Sequence, residues 1–292
     1  MPLRGWGSLV KPAIMKKLFL LPLFALALCV TSCGDDDFEQ NQPENPSENP
    51  SGSSSAYKKL KSIVFETKNR EGEITEVESY SYKYNDEGLP VSVESYSYDN
   101  DKYGTDTDTY TYDWDNDWND YYGNDGVMVC RNGSPENYYS IVDGKVVKAV
   151  YAEDISSNSA YHHFTYDSNG FLKNVVEISN GKDLSTEEYN WVNGKLMQRK
   201  VDVDYISDIS LIYLSETCKG FFPSIVGYAY DDEPLFRATP WLVGCVQQDL
   251  PVKEIRGSHS SDFSYTFYDD GYLKSCVEVD KYGETVYSFV WE

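Results

Sequence analysis

Residues 189–201 read YNWVNGKLMQRKV. Asn-Gly between two alternating segments is the strongest short-range hairpin signal, because both central residues of a type I′ turn need positive φ. With Asn193-Gly194 in the turn, Val192 is expected to face Lys195, Trp191 to face Leu196, Asn190 to face Met197 and Tyr189 to face Gln198. Cross-strand partners share a sheet face. Tyr189, Trp191 and Leu196 then line one side, and Asn190 and Lys195 the other.

The same construction returns at 139–150, YSIVDGKVVKAV, around Asp143-Gly144. It returns with longer loops at 82–93, 164–175 and 265–276, where Asn or Asp opens the turn and Gly supplies its left-handed residue. Return turns lie between them at Arg70-Glu71-Gly72, Asn180-Gly181 and Lys281-Tyr282-Gly283. Alternation is strong. At 77–84, Glu78, Tyr80, Tyr82 and Tyr84 point one way and Val77, Ser79, Ser81 and Lys83 the other. Helical periodicity is almost absent. The pattern predicts an all-β domain over 57–292, an antiparallel β-meander of about 14 strands. So many strands in sequence order must curl into a barrel, a half-barrel or a two-layer sheet. The 26 tyrosines predict a Tyr-rich inner face. Residues around 205–250, with Pro223, Pro234 and Pro240, break the alternation. They predict an irregular insertion covering one end of the sheet.

Upstream, the chain reads as an address. Residues 1–14 carry no comparable apolar stretch and read as a misassigned upstream start, with Met15 the true one. Lys16 and Lys17 precede 13 apolar residues, 18–30, too few for a helix spanning a bilayer, which needs ~20. Val30-Thr31-Ser32-Cys33 follows and looks like a bacterial lipobox, so 15–32 is expected to be a lipoprotein signal peptide. Cleavage would fall between Ser32 and Cys33, and Cys33 would carry the lipid, including palmitate-type acyl chains. Asp35, Asp36 and Asp37 resemble the acidic signal that exports lipoproteins to the outer face of the outer membrane. Residues 33–56 are acidic and Pro/Ser-rich and are expected to form a disordered tether. Residues 1–32 contain four cations and no acid, so their removal takes the net charge from −23 to −27. Such a charge repels nucleic acid and excludes it as a partner.

Together, the lipobox, the polar stalk, the Tyr-rich hairpins and the segment 240–251 resemble a Bacteroidota surface-lipoprotein family of unknown-function domains with a porin-like fold. The pattern aromatic-x-Tyr-Asp-x-x-Gly-x-Leu-x-x-Val at 164–175 is also similar to the tyrosine-aspartate repeats of large bacterial surface proteins. The resemblance implies a β architecture and no assigned activity. A membrane-spanning barrel is not expected, because one strand face carries Ser79, Ser81, Lys83, Ser95, Ser97, Thr109 and Thr111, and Glu78 and Glu94 interrupt the other.

Candidate chemistry is sparse. Asp113, Asp115 and Asp117 are spaced like the first ligands of a calcium loop. However, Trp118 stands where the turn glycine belongs and Asn124 where the bidentate Glu belongs, so calcium is the one cofactor considered and a weak one. His162 and His163 are adjacent on a strand and point to opposite faces. No nucleophile elbow, zinc helix or phosphate loop is present, so no catalytic residue is assigned. Cys130, Cys218, Cys245 and Cys276 remain after processing, either as disulfides, with Cys218–Cys245 and Cys130–Cys276 as one pairing, or as four buried thiols. Trp114, Trp118 and Trp241 are candidate stacking platforms for a ligand, against the reading that they are core or strand-edge aromatics.

The sequence thus predicts a lipid-anchored, surface-exposed outer-membrane lipoprotein serving as a non-catalytic binding or structural module. Its expected partners are the membrane, through the lipid, and a polysaccharide or an outer-membrane protein complex. A glycan-binding accessory role in polysaccharide uptake is the first alternative, and a carboxylate-dependent hydrolase the second.

Overall fold

The structure is a computed structural model of the 292-residue chain and describes residues 58–100, 104–114, 125–157, 159–202, 208–222 and 233–292. Sixteen antiparallel strands follow one another around a closed barrel. They are β1 (Leu60–Asn69), β2 (Ile74–Tyr84), β3 (Pro90–Asp99), β4 (Gly104–Asp113), β5 (Asp125–Arg131), β6 (Ser134–Val142), β7 (Lys145–Tyr151) and β8 (Ala160–Tyr166). The second half comprises β9 (Leu172–Ser179), β10 (Lys182–Val192), β11 (Lys195–Val201), β12 (Ile209–Thr217), β13 (Asp249–Arg256), β14 (His259–Phe267), β15 (Leu273–Val279) and β16 (Gly283–Trp291). The barrel closes where β1 pairs with β16, from Leu60 opposite Trp291 to Asn69 opposite Gly283. Of the three curled forms open to the sequence, the closed barrel is the one adopted.

The turns explain why these segments reverse. Asn193 (φ 51°) and Gly194 (φ 75°), Asp143 and Gly144, Asn180 and Gly181, and Asn132 and Gly133 are all left-handed pairs, as type I′ hairpins require. The longer turns use an Asx device: Asn69, Asn85 and Asp167 each accept two backbone amides through Oδ1, two and four residues on. The 189–201 hairpin pairs Val192 with Lys195 and Trp191 with Leu196 as expected. A bulge between Asn190 and Trp191 then shifts the register, so Asn190 meets Gln198 rather than Met197, and Tyr189 meets Arg199 rather than Gln198. The face assignment survives: Tyr189 and Leu196 are buried, with Trp191 packed against the same core.

The tyrosine-bearing face of β2 points into the lumen, where Tyr82 is buried and Tyr80 and Tyr84 pack on the core. Register carries the same inward parity around the wall through Phe65, Val93, Tyr112, Val129, Tyr139, Ala149, Phe164, Val175, Tyr189, Ile209, Phe263, Cys276 and Phe289. Outside, Ser79, Ser81 and Lys83 of β2, Glu94 of β3 and Thr105, Thr107, Thr109 and Thr111 of β4 face away from the core. Outward cross-strand ion pairs join Lys83 to Glu94 at 2.8 Å and Lys253 to Asp262 at 2.9 Å. A small second cluster, Met128, Tyr138, Val150 and Ile155, seals the short 3₁₀ turn Ala152–Asp154 onto the outside of β5–β7.

The irregular insertion is shorter than the sequence suggested. Residues 209–217 continue the wall as β12, because Ile209, Leu211 and Tyr213 alternate inward. Among the described residues of the β12–β13 connection, 218–222 and 233–248 lie outside the named strands, and the second stretch contains a short helix, α1 (Pro234–Ala238), and a 3₁₀ turn (Pro240–Val243), both buried. This segment shares one end of the barrel with the turns at Asn85–Gly88, Asp143-Gly144, Asp167–Gly170 and Asn193-Gly194 and with both chain ends of the wall. It folds inward as a plug.

Candidate functional site

The plug is held by the wall it enters. Leu235, Phe236, Leu242 and Val243 are nearly fully buried, and each such side chain contributes ~1.5–3 kcal/mol relative to exposure. Its backbone is met by polar groups from many strands. Tyr82 Oη donates to Pro234 O at 3.0 Å, and the Leu172 amide donates to Gly244 O at 3.1 Å. Gln247 Oε1 accepts from Tyr213 Oη at 3.2 Å and from the Leu196 amide at 3.5 Å. The Arg237 guanidinium lies over the rings of Phe65 and Tyr80, at 4.9 and 4.6 Å from their centroids.

Beyond the plug the lumen turns polar. Three inward carboxylates are set against arginines: Glu187 with Arg199 at 2.9 Å, Glu254 with Arg256 at 3.1 Å, and Asp108 with Arg131. Tyrosine hydroxyls donate to inward carboxylates as well, Tyr189 to the same Glu187 at 2.7 Å and Tyr287 to Glu278 at 2.6 Å. Burial raises the pKa values of these tyrosines, so they remain donors at neutral pH.

Between plug and polar layer lies a cavity of about 330 Å³. Glu233, the residue that caps α1 through the Leu235 amide at 3.3 Å, is part of its lining. Tyr112 Oη donates to one carboxylate oxygen of Glu233 at 3.5 Å, and Tyr139 Oη to the other at 3.4 Å. Burial pushes the Glu233 carboxyl up from 4.5 to about 7, opposed by these hydrogen bonds and reinforced by the charge of Glu136. The walls are Tyr110, Tyr139, Ala149, Tyr151 and His162, with Arg131, Glu136 and Asn137. Burial lowers the His162 pKa, keeping that ring neutral. Its ring meets Tyr151 edge to face at 5.9 Å. Burial pushes the Tyr110 hydroxyl up to about 12.

Of the residues singled out by sequence, His162 lines this cavity. Ser32, Cys33, Asp35, Asp36, Asp37, Asp115, Asp117 and Trp118 lie outside the described residues. Asp113 ends β4, and among the described residues no group of three His, Cys, Asp or Glu side chains is placed to hold a metal. Trp114 is half-buried with its indole N–H on Pro90 O at 2.8 Å, and half-buried Trp241 packs edge-on against Phe221 at 6.0 Å. Both rings rest on the core. The four cysteines are free thiols. Of the two alternatives left open by the sequence, the structure has the thiols, with Cys130 on the outer cluster and Cys276 in the luminal core. Cys218 and Cys245 are likewise unbonded buried thiols, with pKa values raised by burial. The histidine prediction holds: His162 enters the cavity, while His163 pairs with outward Lys148. Sequence reading missed Glu233, Tyr110, Tyr139, Tyr151 and Arg131 as a group. The available signal was their shared inward parity, together with Glu-Pro opening an apolar stretch at 233–245.

No protein-family model and no curated protein matches the sequence. In fold, the chain is similar to a porin-like protein from Bacteroides uniformis ATCC 8492 solved by crystallography. The two share 16% identity and a TM-score of 0.59 over 80% of this chain and 96% of that one. A porin-like protein from Bacteroides vulgatus ATCC 8482 aligns over 80% of this chain and 99% of its own, at 11% identity and a TM-score of 0.24. The likeness to the B. uniformis protein defines a shared barrel architecture.

Proposed function

We propose that this protein is a non-catalytic binding barrel, lipid-anchored at Cys33 on the outer face of the outer membrane, with its ligand seat in the luminal cavity. The observation that carries the binding reading is the filled lumen. A barrel stoppered at one end by its own chain is a poor conduit, while the cavity beyond the stopper has the size and mixed aromatic and polar lining of a small-molecule site. The outer wall supports an anchor over a membrane span, since Lys83–Glu94 and Lys253–Asp262 would face hydrocarbon in a spanning barrel.

Two measurements test this reading. In cells fed labelled palmitate, the full chain should take up label and fractionate with membranes. Cys33→Ser should lose the label and appear in the soluble fraction without detergent. Alkali-resistant membrane residence of that variant would overturn the anchor and favour a spanning barrel. In a small-molecule screen followed by melting temperature, hits should vanish in Ala149→Leu, which narrows the cavity. A screen with no Ala149-sensitive hit removes the binding role.

A further inference from the structure

We propose that the luminal cavity takes a small organic cation, a protonated amine whose charge rests against Glu233 and whose body lies along the rings of Tyr110, Tyr139 and Tyr151. This rests on the binding reading above and names its ligand class. Three other carboxylates of the lumen are set against arginines, and Glu278 is met by the Tyr287 hydroxyl at 2.6 Å. The side chains of Glu254, Asp108 and Glu187 keep only 10%, 17% and 18% exposure, and each is ion-paired. Glu233 is 8% exposed, and among the described residues no Lys, Arg or His pairs with it. Its three donors stand at 3.3–3.5 Å, well beyond the ~2.7–2.9 Å of charge-assisted hydrogen bonds. The carboxylate, which belongs to the cavity lining, is therefore under-satisfied.

The surroundings favour a cation over the alternatives. Arg131 is offset by Asp108 and Glu136, and His162 is neutral. The groups facing Glu233 are the hydroxyls of Tyr82, Tyr110, Tyr112 and Tyr139 and the carboxylate of Glu136. Arg237 follows on α1, already seated on Phe65 and Tyr80. That pairing shows the same lumen stabilising a cation on aromatic faces. A net charge of −23 draws cations in and turns anions away. A neutral polyol would leave the acid without a counter-charge.

The test uses a matched pair on the full chain: tyramine, and tyrosol, which carries a hydroxyl in place of the ammonium. Calorimetry at pH 8 should give at least ~30-fold tighter binding of tyramine, as expected for one charge-assisted contact of ~2 kcal/mol. Because a cation holds Glu233 ionised, affinity should fall ~10-fold per pH unit below 7, with a proton released on binding. Glu233→Gln should abolish both the preference and the pH dependence. Tyr151→Leu, at the cavity rim and away from the plug, should weaken tyramine ~5-fold through the lost ring contact. Equal affinity for the two probes, or a pH dependence that survives Glu233→Gln, overturns the cation class. Tyrosol binding that Ala149→Leu removes would leave the cavity a binding site and this inference wrong. Binding of neither probe also overturns it.

Discussion

Glu233 sits where glutamine could accept from Leu235 and Tyr112 through its oxygen and donate its amide N–H to the Tyr139 hydroxyl, which accepts in place of donating. An acid there has a cost that depends on pH. Burial raises its pKa from 4.5 to about 7. Between those values the folded chain holds a proton that the unfolded chain has released, so stability falls as pH rises through this window. It is fully present below about 4.5 and lost above about 7. At 1.36 kcal/mol per unit the loss is ~3 kcal/mol. Glu233→Gln removes it. Urea denaturation should show the variant ~2–3 kcal/mol more stable than wild type at pH 8 and within ~0.5 kcal/mol of it at pH 4.5. A gap that ignores pH would mean that Glu233 is solvated. None of this was legible locally. The sequence points to the densest carboxylates, Asp113, Asp115 and Asp117, whereas what matters at Glu233 is its burial without a counter-charge among the described residues. Those are properties of its surroundings.

Elements built from near neighbours were readable, and those built from distant ones were not. The Asn193-Gly194 hairpin followed from two residues whose left-handed conformation is a local preference. Its bulge at Asn190/Trp191 was hidden, because bulges answer to wall curvature. Residues 209–217 read as part of the insertion in sequence because Pro223, Pro234 and Pro240 follow them. The plug itself depends on contacts such as Tyr82 to Pro234, 152 residues apart. Gly244 tests its docking. It has φ +62°, and a Cβ there would lie 2.6 Å from Gly170 O and 2.9 Å from the Leu172 amide nitrogen. Gly181, also left-handed at φ +72°, has nothing within 4 Å of that position. Gly181→Ala should cost ~1–2 kcal/mol, the conformational penalty alone. Gly244→Ala adds a backbone collision and should cost ~3–5 kcal/mol in urea denaturation. Equal losses would show that the plug does not press on the β8–β9 turn.

At the scale of the whole molecule, alternation and turn spacing implied a curled meander but not its closure, since closing joins β1 to β16 across nearly the full length of the domain. Strand count suffered for a similar reason. About 14 strands were expected and sixteen form, with Asn132-Gly133 among the hairpins passed over. Closure also decides what the tyrosines do, because only a sealed wall makes one face a lumen that a plug can fill. Wall and plug share a single core, which includes Phe289, Trp291, Phe221 and Leu235. The full chain should therefore unfold in one transition. Ending it after Tyr282 removes β16, with buried Phe289 and Trp291 and the indole hydrogen bond to Leu273 O at 2.7 Å. It also leaves β1 and β15 as long unpaired edges, the usual route to edge-to-edge association. The shortened chain should lose its cooperative melt and elute as soluble aggregates or precipitate. A monomer that keeps the wild-type melting midpoint would mean that the sheet holds its curvature without closing, and that the plug rather than the seam defines the lumen.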